Sequence, residues 1–145
     1  MHRFTLEALL NHRRHQEAVC QKQLAQSQRV LAEETGKLRR LKNEKRDNIE
    51  TLKIKQKAKI NVSDIILSVN YIQQLSQKID KQKIWVQEAA QTVNQKRHEL
   101  ITIVKKRKTL EKLKEKERLA YQQKMMQNER KFMDDVASTR HARKR

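Results

Sequence analysis

An all-α fold, a long antiparallel two-helix coiled-coil hairpin with a longer second helix, is what this chain predicts, and three observations carry the prediction. The 145 residues include one glycine and no proline, so turns are few. Ala, Glu, Lys, Leu and Arg supply roughly half of the chain, the composition of long helices. Apolar residues recur at seven-residue spacing through most of the second half, which is the a/d pattern of a coiled coil. With aromatics at 3% and charged residues at 36%, the material for a globular core is missing.

The whole chain reads as a single coiled-coil domain over residues 1–145, with a first helix over about 4–57, a turn over about 58–63, a second helix over about 64–138 and a basic tail over 139–145. In the first helix Leu10, Leu24, Leu31, Leu38 and Leu52 form one column and Cys20 and Leu41 belong to the other, while Ser27, Glu34, Lys45 and Asn48 interrupt the seam. Gly36 costs about 1 kcal/mol against Ala in a helix interior, so it marks local softness and the helix is read through it. The stretch "KIKQKAKINVSDII" loses the seven-residue rhythm. Ser63 followed by Asp64 there reads as an N-cap with an acid in the first turn, with Val62 and Leu67 at the two positions of a hydrophobic staple. Lysines at 53, 55, 57 and 59 alternate as in an edge strand, but no second strand pattern exists to pair with them, and a fraying helix end is the better reading.

The second helix has the stronger seam: Ile65, Ile72, Ile79, Val86, Val93 and Leu100 in one column, Leu75, Ala89, Ile103 and Leu110 in the other. A hairpin centred near residue 60 sets Leu31 against Ala89, Leu41 against Ile79, Cys20 against Leu100, Asn48 against Ile72 and Leu38 against Gln82, and a centre a few residues later satisfies the a/d rule as well. The first arm then runs out opposite residues near 117 to 123, and the second helix continues alone. Leu119, Met126 and Met133 share one column of this overhang and Met125 and Phe132 an adjacent one, an apolar stripe rich in adaptable Met that suits docking in a partner's groove.

A formal charge of +18 implies attraction to something acidic. The cluster "VKKRKTLEKLKEKER" at 104–118 could meet phosphates, but Glu111, Glu115 and Glu117 make it read as a solvated face with spaced ion pairs. Phe4, Phe132, Tyr71, Tyr121 and Trp85 are too scattered to form a stacking platform, so nucleic acid is not the expected partner. A basic coiled coil that binds nucleic acid nonspecifically is the alternative. His12 and His15, one turn apart, lack further ligands for a metal, and Cys20 falls on the seam. No phosphate loop or catalytic constellation is visible, so no enzyme, cofactor or metal is expected. The single cysteine precludes an intrachain disulfide and fits a reducing compartment. The start lacks a signal-peptide hydrophobic region, and no apolar run approaches the roughly 20 residues of a spanning helix, so membrane association is expected to be peripheral.

The opening "FTLEALLNHRRHQEAVCQKQLAQSQ", the middle "NYIQQLSQKIDKQ" and the closing "RKTLEKLKEKERLAYQQKMMQNERKFMDDVAS" together resemble the FliJ family of flagellar type III export proteins over nearly the whole chain. The resemblance implies a cytoplasmic two-helix stalk, similar to the central stalk of rotary ATP synthases, whose termini enter the hexameric export ATPase FliI. It also implies contacts with the export gate FlhA and with substrate chaperones, coupling of ATP hydrolysis to proton-driven export, and a place at the cytoplasmic face of the inner membrane, reached through the export apparatus. On this sequence the ATPase-binding candidates are Phe4, Leu6, Leu9, Arg13, Leu119, Met126, Arg130, Phe132 and Met133. The gate-binding candidates are Leu41, Asn48, Tyr71, Leu75, Lys78 and Gln82, with Lys78 and Glu44 standing where relatives can carry apolar or aromatic residues. The equivalent stalk of a virulence secretion system is the nearest variant of this reading.

Overall fold

Asn61 starts the second helix. Its side-chain oxygen accepts the backbone N–H of Ser63 at 3.2 Å, and its carbonyl accepts those of Asp64 at 3.1 Å and Ile65 at 3.3 Å. An Asn in this place satisfies donors that a helix N-terminus leaves without partners, and Asp64 then lies in the first turn, where a negative charge favours the helix dipole. The cap is therefore two residues earlier than Ser63, which lies within the helix. The staple fails with it: Val62 and Leu67 are both about two-thirds exposed. Asn and Ser are near-equal caps, and the sequence offers both within three residues.

The protein was described from a computed structural model covering residues 3–58 and 61–144. Two helices, α1 (Glu7–Lys57) and α2 (Val62–Arg143), pack against each other as a hairpin, with no strand among the described residues. Phe4 precedes α1 rather than belonging to it, and its carbonyl accepts the Glu7 N–H at 3.2 Å. Lys53, Lys55 and Lys57 are helical, and the Ala58 N–H still reaches the Ile54 carbonyl at 3.1 Å; Lys59 lies outside the described residues. The expected basic tail is helical as far as Arg143.

Two units divide the chain, one of residues 19–100 and one of residues 1–18 with 101–145. In the first, both seam columns face inward: Leu75, Ile79 and Val93 are buried, and Leu24, Leu31, Leu38, Leu41 and Leu52 of α1 are half-buried, as are Ile65, Ile72, Val86, Ala89 and Leu100 of α2. Gln82 is 3% exposed and has found partners across the seam. Its amide donates to the Glu34 backbone carbonyl at 2.9 Å and to the Glu34 carboxylate. A buried amide in an apolar seam is tolerated only when satisfied in this way, and the requirement opposes any slip of one arm along the other.

Gly36 sits within α1, and a Cβ built on it would meet nothing within 4 Å. Gly36→Ala should therefore raise stability by about 0.5 to 1 kcal/mol, since it removes unfolded-state freedom without a clash. Thermal unfolding followed by circular dichroism checks this, and an unchanged or lower midpoint would mean that α1 is not continuous there.

In the second unit Phe4, Leu10 and Leu110 form an apolar cluster, with Leu10 fully buried. Leu10 and Leu110 stand equally far from residue 60, one of the centres that the heptads allow.

Candidate docking surfaces

Beyond the cluster of Phe4, Leu10 and Leu110, charge holds the terminal arm of α1 to α2. Lys114 Nζ meets Glu7 at 3.0 Å. Arg107 bridges Glu17 and Glu111, the latter at 2.9 Å, and Glu111 also meets Arg14 at 3.6 Å. The side chains of Arg107 and Glu17 are 22% and 16% exposed, so this pair is the best shielded of the set. The bond to Glu111, followed by those with Glu17, holds the Arg107 guanidinium above its ordinary value. Thr5 Oγ1 donates to Glu117 at 3.2 Å, at the limit of what α1 reaches.

Past that limit α2 continues uncovered. From Arg118 onward every described residue is exposed except Val136. Continued at heptad spacing, the seam columns read Arg107, Lys114 and Glu117 where α1 still covers them, then Tyr121, and past it only Lys124, Asn128, Lys131, Asp135 and Ser138. Beside them Met125, Glu129, Phe132, Met133 and Val136 follow the i, i+4, i+7, i+8, i+11 pattern of a helix face. Met125, Asn128, Glu129, Phe132 and Met133 line a shallow groove, with Phe132 and Met133 each 67% exposed. Two large apolar side chains held this far out of a charged helix make an exposed apolar patch, a candidate docking surface.

The ATPase-binding candidates divide by environment. Phe4 is buried in the terminal cluster, Arg13 is half-buried and donates to Gln16 at 2.8 Å, and Leu6 and Leu9 are exposed near the start of α1. Leu119, Met126, Arg130, Phe132 and Met133 are all exposed on the uncovered helix. Met125 and Val136 belong with them. The signal that would have added them is the purely polar character of the heptad columns after Tyr121, beside which these apolar residues continue.

The gate-binding candidates divide likewise. Leu75 and Gln82 are buried in the seam, and Leu41 and Asn48 are half-buried, the latter donating to the Glu44 carbonyl at 2.7 Å. Lys78 is exposed, and so is Tyr71, whose hydroxyl donates to the Glu44 carboxylate across the hairpin. That hydrogen bond, helped by burial and by the negative charge, holds the Tyr71 hydroxyl above its ordinary pKa. Glu44 thus has a local role in fixing the Tyr71 ring. Trp85, 53% exposed, continues Tyr71 and Lys78 at seven-residue steps, an edge pattern that single aromatics scattered in a sequence do not announce.

The profile of the flagellar FliJ protein family matches residues 1–145. The chain belongs to the FliJ family. That membership makes it a component of flagellar type III export, with the form of a hairpin whose second helix is the longer. Among solved structures, a protein described as a YscO homologue from Chlamydia trachomatis is similar over 100% of both chains, with a TM-score of 0.61 and 23% identity, which shows a shared fold. No curated protein sequence gives a significant match. Among the described residues no helix is long and apolar enough to cross a membrane, and no three His, Cys, Asp or Glu side chains gather as metal ligands.

Proposed function

We propose that this FliJ-family chain is a stalk that inserts its paired termini into the central hole of the hexameric export ATPase FliI and presents the middle of the hairpin to the export gate FlhA. The observation that carries the reading is the uncovered end of α2, where the seam columns turn polar while Met125, Phe132, Met133 and Val136 form an exposed apolar face. A helix built to pair with its own first arm would keep its apolar residues in the seam; one built for another protein moves them to a new face. Met supplies flexible apolar contact, which suits a surface that must meet successive subunits of a ring.

In this role the chain does no catalysis. Hydrolysis belongs to the ring, and the stalk couples it to proton-driven export while assisting delivery of substrates by their chaperones at the cytoplasmic face of the inner membrane. Tyr71, Lys78 and Trp85 are the exposed side chains from which a gate contact would be built, with Leu75 and Gln82 holding the seam beneath them.

A pull-down with the ATPase, run beside a DNA and RNA mobility-shift assay at physiological salt, tests the reading. Capture by the ATPase without a shift is the expected result. Binding to nucleic acid but not to the ATPase would replace the stalk by a nonspecific basic coiled coil, whose affinity would fall steeply with salt.

A further inference from the structure

In the basic run at 104–118 the spaced pairs within α2 form at the arginines, and among the described residues the acids leave the outward lysines without ion pairs. Glu111 goes to Arg107 and Arg14, Glu115 to Arg118 at 2.6 Å, and Glu117 accepts from Thr5. The bond to Arg118 is strong enough to hold the Glu115 carboxyl below its ordinary value. The remaining acids of this unit near the run, Glu7 and Glu17, are taken by Lys114 and Arg107. Lys105, Lys108, Lys112 and Lys116 are left exposed. At about 100° per residue these four fall within roughly one quarter of the helix circumference, on the side opposite Arg107, Leu110 and Lys114, which face α1. Ile101 and Leu119 lie on the same outward line, one at each end of the lysines, 45% and 46% exposed.

We infer that this line of lysines, flanked by Ile101 and Leu119, is a binding surface for the anionic headgroups of a phospholipid membrane, on which α2 lies lengthwise. Charge complementarity selects an anionic partner, and three features select a bilayer surface among such partners. The cations are all lysines, point charges that suit a diffuse negative surface, without an arginine fork for bidentate phosphate contacts. No aromatic side chain lies in the line to stack on a base. The aliphatic side chains at its ends have a place to go at a headgroup boundary and none along a sugar-phosphate backbone. Lysine stems can also spread over the interface while their ammonium groups stay among the headgroups. The surface shares Leu119 with the ATPase-binding candidates but includes none of Met125, Phe132, Met133 and Val136, and it does not depend on the ATPase reading.

Sedimentation with vesicles tests the inference with the full chain. At about 150 mM salt, where exposed charges are screened beyond about 8 Å, vesicles of phosphatidylcholine with about 30% phosphatidylserine should bring the chain down, and pure phosphatidylcholine should not. Each lysine near such a surface strengthens binding roughly fivefold, so replacing Lys105, Lys108, Lys112 and Lys116 by Gln should weaken partitioning at least about 100-fold. The same change of charge at Lys22, Lys42, Lys53 and Lys57 should weaken it far less. Ile101→Ser with Leu119→Ser should weaken vesicle binding several-fold and leave any RNA shift unchanged. Circular dichroism of each variant establishes that the helices persist. Equal loss in the two lysine sets would show delocalised charge in place of a surface. Absence of binding to the phosphatidylserine vesicles, or displacement from them by RNA bound more tightly through the same lysines, would also overturn the proposal.

Discussion

Leu10→Ala should lower the unfolding free energy by about 3 kcal/mol, a large share of what a two-helix fold possesses. Leu10 is fully buried, and its neighbours Phe4 and Leu110 are the other buried apolar residues of its unit among those described. Truncation leaves a cavity between a residue that precedes the helix and one on the opposite arm, and neither backbone can close on it without losing the Glu7–Lys114 contact nearby. Leu9→Ala is the matched control. Leu9 is 38% exposed, so its removal should cost under about 1 kcal/mol. Urea unfolding of both variants, with hydrogen exchange over residues 3–18, distinguishes the two. Similar losses for Leu9 and Leu10 would mean that the inward face of α1 has been assigned wrongly. The effect bears on function as well, because the terminal cluster holds Leu6, Leu9 and Arg13 in place beside α2.

Phe132→Ala combined with Met133→Ala should weaken ATPase binding by about 100-fold and leave the helical signal unchanged. Both side chains are two-thirds exposed, so the hairpin loses little when they are truncated. Covering two such side chains in a partner's groove is worth roughly 3 kcal/mol in all, which is the stated factor in Kd. Gln127→Ala, on the other side of the same helix, should change binding by no more than about twofold. Calorimetric titration of the ring with each variant provides the measurement, and export by cells carrying the double variant should fall with it. Unchanged binding by the double variant would remove the uncovered helix from the interface.

Much of this hairpin is legible before any coordinate is known, because a seven-residue repeat is a direct statement about which side chains face a partner helix. Leu75, Ile79, Val93 and Leu110 are buried where their columns require, and α2 outruns α1 as the early turn demands. Local chemistry was less legible. Asn61 and Ser63 are both good caps, and the choice between them depends on backbone geometry over a single turn. Phe4 reads as a surface candidate near a terminus, yet it folds back onto Leu10 and Leu110, a long-range contact that no periodicity encodes. The ion pairs were the least legible. The sequence shows acids spaced to meet lysines and arginines on one helix, which Glu111 and Glu115 do, but not that Arg107 and Arg118 are the partners they take. A forked guanidinium holds a carboxylate better than an ammonium at the same spacing, and the competition is settled only once both arms are in place.

The polar columns of the uncovered helix also bear on how the chain behaves toward copies of itself. Two such helices brought together along their heptads would set Lys124, Asn128, Lys131 and Asp135, with Tyr121 the one aromatic among them, into a shared interior, where each charged or amide group would lose water without an assured partner. The apolar face beside them is too narrow to hold a second copy by itself, since Glu129 divides it. Pairing of identical chains is thereby discouraged at the one place where an α-helix stands open. Raising the concentration of the chain should therefore not pair these helices along their heptads, which sedimentation over a range of concentrations would check.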